Sequence, residues 1–517
     1  MSGRQGSWSV RCFCRTRTAT PRPPLPGWQE GLHRRSINRN FSAPKYPIEG
    51  KQLILKIIAM AEWFSRFEEM GEGVSEFVSG WFLGTPISAI RRDNAIEFLA
   101  WAMYTSEVDA LSADERKKLM ETLAVIEEYL PHKFEPGRNP EARCIRHTLS
   151  PVVPFSHLPL AVYLGLGLLR VVARGILAVN GFRREVAPCG KFCYWYRGVK
   201  RGGERARPVV FLHGICSSIL WYLEMIWKLS RGKACVVVEL SPIAMHLSVF
   251  RACALPSEDE MVASIESIMS RHRIRRAAFV AHSFGSIAVA WVARRRPELV
   301  SQIGLMDPVS LLLFMPNVAK AFLHPETMED SIIKRALLII SREKGISYTL
   351  HRHFWWYTNI LWPEDIRCPM VVSLAGLDRI VPTKAIRRML LSYPHFASFT
   401  AAKAPESSRQ ADPRGQDNGQ SRSQHGIDGE VTTCLSDPGL TVVASSTGSS
   451  VNVPDNNGGK VHVVGSTRQG CRRVSIRDSI ELLFWPTFSH GGQMFCSEAL
   501  QLFVETLNKQ AEAHGLC

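Results

Sequence analysis

The chain has 517 residues, 45% of them hydrophobic, which is enough to bury a large core and to form two to four structural units. Its formal net charge is +16, but the basic residues are spread along the chain without a zinc-finger, RRM or similar module, so no nucleic-acid partner is expected. Thirteen cysteines scattered from Cys12 to Cys517 exclude the dense disulfide framework of a small secreted domain and point to a reducing compartment.

Residues 1–41 hold eight arginines and one acid, Glu30, a net of +7. This Arg-rich, acid-poor stretch lacks the apolar core of a secretory signal and reads as a targeting segment. Arg39-Asn40-Phe41-Ser42 resembles a site at which mitochondrial presequences are cut, so a mitochondrial or other organellar address is expected. A basic tail on a cytoplasmic protein is the alternative.

Residues 42–156 read as a helical region. The apolar run Leu53–Met60 suggests a first helix, Thr85-Pro86 opens another, Asp93 can cap Ala95–Tyr104, and Ser112 with Glu115 forms a capping box for a helix ending near Pro131. Residues 157–182 contain the most apolar segment, Leu158–Val179, which stops at Asn180-Gly181, a good helix C-terminus. Its uninterrupted part is shorter than the roughly 20 residues of a membrane span, and Arg170 and Arg174 lie one turn apart on a single face. If those arginines snorkel to an interface, the segment contacts a membrane as an interfacial or re-entrant helix or a marginal span; otherwise it is a buried helix of a soluble domain.

From residue 183 onward the period changes. Phe192–Gly198 alternates as a strand, Lys200–Glu204 makes a turn, and Pro208–Leu212 is a buried strand. Apolar strands at Ala234–Leu240, Ala277–Ala281, Gln302–Met306 and Pro369–Leu374 then alternate with helical segments such as Glu258–His272. Such alternation predicts an α/β fold, a mainly parallel sheet covered by helices on both faces.

Ala281-His282-Ser283-Phe284-Gly285 places a serine where an apolar strand turns sharply into a helix. A hydroxyl there stands clear of the backbone only if the residues two before and two after are small, here Ala281 and Gly285. Ala444–Gly448 matches the same loose pattern around Ser446 but has no helix after it, so context selects Ser283 as the nucleophile. A serine hydroxyl needs an imidazole to take its proton and a carboxylate to orient that imidazole. Asp378, just beyond the strand Met370–Leu374, is the favoured acid, with Asp307 after the preceding strand as its rival. His490, after the strand-like Ile480–Trp485, is the favoured base. His425 lies in a polar stretch that is hard to hold rigid, and His351 and His353 belong to an aromatic cluster. For the oxyanion, one N–H comes from Phe284, and Leu212-His213-Gly214-Ile215 offers a second from Ile215. Gly214 lets that loop turn closely and His213 is read as structural. Cys189 and Cys193 are a close pair without a second pair at ligand spacing, so neither a metal nor another cofactor is expected.

Phe211-Leu212-His213-Gly214, Ala281–Gly285, Gly376–Pro382 and Ser489-His490-Gly491, in that order, resemble the successive signatures of the α/β-hydrolase superfamily over about Phe192 to the C-terminus. The resemblance implies a Ser-Asp-His triad, hydrolysis through an acyl-enzyme, and a helical cap after the sixth strand, at about 311–365. That cap is rich in aromatic residues, among them Phe314, Phe354, Trp356 and Trp362, and would suit an apolar ester or lipid-like substrate. Acyl transfer or carbon–carbon bond hydrolysis by the same triad, and a catalytically silent interaction protein that keeps the fold, are the alternatives. The sequence departs from the pattern twice. Ala281 replaces the commoner glycine, and 112 residues separate Asp378 from His490 where the family has a few tens. Residues 401–470, dominated by small polar residues, account for the excess and read as a disordered insertion, although retained intron sequence would read the same way.

Overall fold

A computed structural model describes residues 54, 56–57, 73–150, 153–199, 206–216, 218–245, 255–362, 365–391, 451–454, 460–464, 471–476 and 479–516. The expected targeting segment 1–41, most of the Leu53–Met60 run, the turn at 200–204, His425 and Ser446 lie outside the described residues.

The N-terminal region supplies helices α1 (Val74–Trp81), α2 (Arg92–Tyr104) and α3 (Ala113–Glu128). Ser112 and Glu115 form the capping box of α3, with the Glu115 amide 3.3 Å from Ser112 Oγ and the Ser112 amide 2.8 Å from the Glu115 carboxylate. Two sequence expectations are corrected. Pro86 precedes only a three-residue 3₁₀ turn, Ile87–Ala89. Asp93 lies inside the first turn of α2, and it is the Asn94 side chain that accepts the Arg91 N–H, at 3.3 Å. The region shares one hydrophobic core with the cap: Trp81 packs against Trp101 and Trp356, and its indole N–H donates to the Phe314 carbonyl at 3.1 Å.

Helix α4 (Leu160–Val179) follows, ended by Asn180 and by Gly181 at φ +84°. The remaining helices are α5 (Leu223–Leu229), α6 (Glu258–Arg271), α7 (Gly285–Arg295), α8 (Pro316–Leu323), α9 (Ile332–Arg342), α10 (Lys344–Arg352), α11 (Thr383–Leu391) and α12 (Ser497–Ala513). Helices α8 to α10 fall within the segment expected to form the cap.

The strands are β1 (Arg183–Val186), β2 (Cys193–Arg197), β3 (Ala206–Leu212), β4 (Lys233–Glu239), β5 (Ala277–His282), β6 (Val300–Met306), β7 (Met370–Ala375), β8 (Val451–Pro454), β9 (Lys460–Val464), β10 (Arg472–Ile476) and β11 (Ile480–Trp485). They form one sheet in the order β1-β2-β4-β3-β5-β6-β7-β11-β10-β9-β8. Every neighbouring pair from β4 to β11 is parallel, whereas β1 and β2 at one edge and β8 to β10 at the other are antiparallel. Every residue of β5, β6 and β7 is buried, which explains why these strands read as unbroken apolar runs.

Strands β8 and β9 fall inside the stretch 401–470 that the sequence reads as a disordered insertion. The expectation fails at those two segments, where Val-rich alternation gives strand propensity that the surrounding Gly/Ser/Asn background conceals. The rest of 401–470 lies outside the described residues.

Candidate active site

The parallel strands end on one side of the sheet, and the chemistry-bearing side chains follow those ends. Ser283 comes after β5 and adopts φ +49°, a left-handed conformation that a non-glycine residue holds only when its surroundings impose it. Two constraints do so here. The Ser283 N–H donates to the Met306 carbonyl at 2.9 Å, and α7 starts at Gly285, where the backbone crosses the end of β3. A Cβ at Gly285 would lie 2.8 Å from the His213 carbonyl oxygen and closer still to that of Leu212. Gly214 is as tightly placed, since a Cβ there would lie 2.8 Å from Ser283 Cβ and 2.9 Å from His282 Nδ1. Ala281 is fully buried in β5, where a methyl group is accommodated.

The fold brings Ser283, His490 and Asp378 into one hydrogen-bonded chain. Ser283 Oγ lies 2.9 Å from His490 Nε2, and His490 Nδ1 lies 2.6 Å from Asp378 Oδ2. The other Asp378 oxygen accepts the N–H groups of Ile380 and Val381 at 2.7 and 2.9 Å, so the carboxylate is fixed before it meets the imidazole. This network assigns the proton on Nδ1 to Asp378 and leaves Nε2 to accept the serine hydroxyl. Burial opposes the His490 charge, but the Asp378 carboxylate, through charge and hydrogen bond, and Asp307 outweigh it and raise the imidazole to about 9.

Asp307, the rival acid, does not bond His490. Its carboxylate is fully buried, with Oδ1 accepting from Ala375 N at 2.8 Å and Gln493 Nε2 at 3.0 Å, and Oδ2 accepting from Gly491 N at 2.8 Å. Burial pushes this carboxyl up to about 7; His490 and the donated N–H bonds pull the other way, and Asp378 adds to the rise. Ligand atoms of Asp307, Asp378 and His490 lie within 4.8 Å of one another, a spacing a cation could bridge. Each carboxylate oxygen of the pair already accepts at least one N–H, however, so the cluster is satisfied as a hydrogen-bond network.

The backbone N–H groups of Phe284 and Ile215 donate to no group among the described residues. Their loops are held from behind. His213 Nε2 accepts the Leu240 N–H at 2.9 Å, and its Nδ1–H donates to the Gly214 carbonyl at 2.7 Å, which ties the loop after β3 to the end of β4. The Tyr222 hydroxyl accepts the Gly214 N–H at 3.1 Å and donates to His282 Nδ1 at 2.9 Å. Tyr222, His282 and Gln493 were not singled out from the sequence, where no local pattern marks them. From the cap, Phe354 stacks on Phe284 at 6.1 Å between ring centroids. His351 is buried beside His147, and neither it nor His353 joins the site.

The strand order, the parallel centre and the sharp turn at Ser283 define an α/β-hydrolase fold. No family model matches the sequence, and no match was found among curated proteins. Among solved structures the chain is similar to a membrane phospholipase A described as a bacterial virulence factor, at 16% identity and a TM-score of 0.31, over 47% of this chain and 93% of that one. Carboxylesterase CesB of Bacillus subtilis is similar at 10% identity and TM-score 0.32, over 47% and 88%. The meta-cleavage product hydrolase of Pseudomonas fluorescens IP01 is similar at 18% identity and TM-score 0.28, over 40% and 84%.

Proposed function

We propose that this protein is a serine hydrolase that cleaves a carboxylic ester with an apolar or lipid-like acyl group. The observation that carries the reading is the unbroken chain from Ser283 Oγ through the His490 ring to Asp378. In the first step Ser283 Oγ attacks the ester carbonyl carbon while its proton passes to His490 Nε2. The carbonyl oxygen becomes an oxyanion that the Phe284 and Ile215 N–H groups stabilise, each such donor contributing roughly 10²–10³ in rate. The intermediate collapses, the carbon–alkoxy bond breaks, and His490 returns the proton to the leaving alcohol. Water then attacks the acyl-serine, gives one proton to His490, and releases the acid with the serine hydroxyl restored. Asp378 keeps the imidazole in the required tautomer and stabilises its cationic form. The apolar preference rests on the aromatic cap, with Phe354 against Phe284 beside the nucleophile.

Turnover of p-nitrophenyl acetate, butyrate and octanoate by the full chain and by Ser283→Ala tests this. The wild type should hydrolyse all three with the lowest KM for octanoate, and Ser283→Ala should lose about 10⁴-fold or more in kcat. Equal rates for the two proteins would remove Ser283 from the reaction, and a preference for acetate would remove the apolar acyl group.

A further inference from the structure

Helix α4 is turned inside out relative to a water-facing surface helix. Its buried residues include Tyr163 and Arg170 alongside Ala173 and Leu177. Every exposed residue on it is Leu, Val, Ile, Ala or Gly. A helix on a domain that meets only water buries its apolar stripe and presents charges outward. Here the polar groups are directed into the protein. Tyr163 Oη donates to Glu343 Oε1 at 3.1 Å, Arg170 Nη2 to the Ala244 carbonyl at 2.9 Å, and Arg174 Nη2 to Glu239 Oε1 at 2.7 Å. The sequence expectation that both arginines could snorkel outward is thereby corrected, because each has a partner on the hydrolase domain. The outward face is left without a charge, and Leu164, Leu168 and Val171 on it are each more than 60% exposed.

From these features we infer that α4 lies flat on a lipid bilayer and docks the domain to it through the face that carries Leu164, Leu168 and Val171. Twenty residues at about 1.5 Å each would suffice to cross a bilayer. Crossing, however, would draw Glu239 at the end of β4 and the Ala244 turn into hydrocarbon with the helix, since Arg174 and Arg170 hold them to it. An in-plane helix keeps those pairs in the domain and buries the aliphatic face alone.

The turn that packs on α4 brings further exposed apolar side chains near the site. The turn Ile219–Tyr222 packs on α4, and its Trp221 is exposed while the adjacent Tyr222 holds Gly214 beside Ser283. Trp221 meets Phe495 at 6.0 Å between rings, and Phe495, on the turn after His490, is 72% exposed. Two exposed aromatic side chains thus sit at the loops that bear the Gly214 and His490 backbones, a residue type that lodges at bilayer interfaces. Protein interfaces draw on aromatic, Met and Arg anchors with hydrogen bonds among them. The outer face of α4 has no polar side chain to hydrogen-bond a partner, which suits acyl chains rather than a second protein. The docking face stands whether or not Ser283 is a nucleophile.

Flotation of the full chain with phosphatidylcholine/phosphatidylserine vesicles tests the inference. The wild type should float and be released by alkaline carbonate. Leu164→Glu/Leu168→Glu/Val171→Glu should lower the vesicle-bound fraction at least about tenfold, with unchanged circular-dichroism melting and fluorophosphonate labelling. If that variant misfolds, Leu168→Gln should weaken flotation in a folded protein. Ile332→Glu, at an exposed apolar position on α9, should float like the wild type. A wild type that never floats, a folded α4 variant that floats equally, retention after carbonate, or a wild-type dimer dissolved by the α4 variant without any vesicle binding would each overturn it.

Discussion

The Asp307 carboxylate holds the peptide N–H of Gly491, the residue after His490, at 2.8 Å, and so fixes the backbone that presents the imidazole to Ser283. The same carboxylate accepts Ala375 N and Gln493 Nε2, which joins the ends of β6 and β7 to the His490 loop. Gly491 itself is at φ +71°, and a Cβ there would approach His282 Nε2 to 3.4 Å. The two aspartates thus hold different parts of one element, Asp378 the His490 ring and Asp307 the backbone after it.

Asp307→Asn keeps the volume and tolerates the φ of +43°, but its amide nitrogen cannot accept an N–H. At least one buried donor loses its partner, which should cost about 1–3 kcal/mol of stability. The His490 loop loosens, so kcat should fall by about 10–100-fold with KM little changed. A stability loss with unaltered kcat would mean that Asp307 serves packing alone.

The raised His490 pKa gives a pH dependence with a definite sign. Only the neutral imidazole accepts the serine proton, so kcat/KM should fall as pH drops through an apparent value above the ordinary 6.5, toward about 9. Asp378→Asn should move that value downward and reduce kcat by about 10⁴-fold. Stability runs the opposite way. The His490–Asp378 contribution is fully present below the unfolded histidine value of about 6.5 and is lost as pH rises through the raised folded value. Melting curves taken between those values should show the wild type losing more stability with pH than His490→Ala.

Gly285→Ala would drive a methyl group into the Leu212 and His213 carbonyls. Because the contacts are backbone atoms, nothing can rotate away, and the urea midpoint should fall by the equivalent of about 1–3 kcal/mol or more. An unchanged midpoint would show that the elbow has room that the close approach denies.

Removing residues 401–448 keeps β8 and β9 and should preserve folding and turnover. Removing 401–470 takes both strands and leaves β10, which pairs with β9, as a bare edge. That second deletion should aggregate on size-exclusion chromatography. Equal behaviour of the two deletions would show that β8 and β9 are dispensable.

Much of this site was legible because its signals are local. Ala281 and Gly285 flank Ser283 within five residues, Asp378 follows a buried strand directly, and Gly214 follows His213 at the end of β3. The supports were not legible because they join distant segments without a pattern. Gly491 and Gln493 reach Asp307 across 184 and 186 residues, and Tyr222 reaches His282 across 60. Helix α4 shows the same limit. Its periodicity placed Arg170 and Arg174 on one face, but Ala244 and Glu239, 74 and 65 residues beyond them, decide that this face is the inner one.

Labelling with a fluorophosphonate probe, followed by peptide mapping, tests the central claim most directly. The probe phosphonylates a serine only where a base activates its hydroxyl and N–H donors receive the charge. A single adduct should map to Ser283, be absent in Ser283→Ala, and form much more slowly in His490→Ala. A folded wild type that takes no probe, or a Ser283→Ala protein labelled to the same extent, would contradict the account.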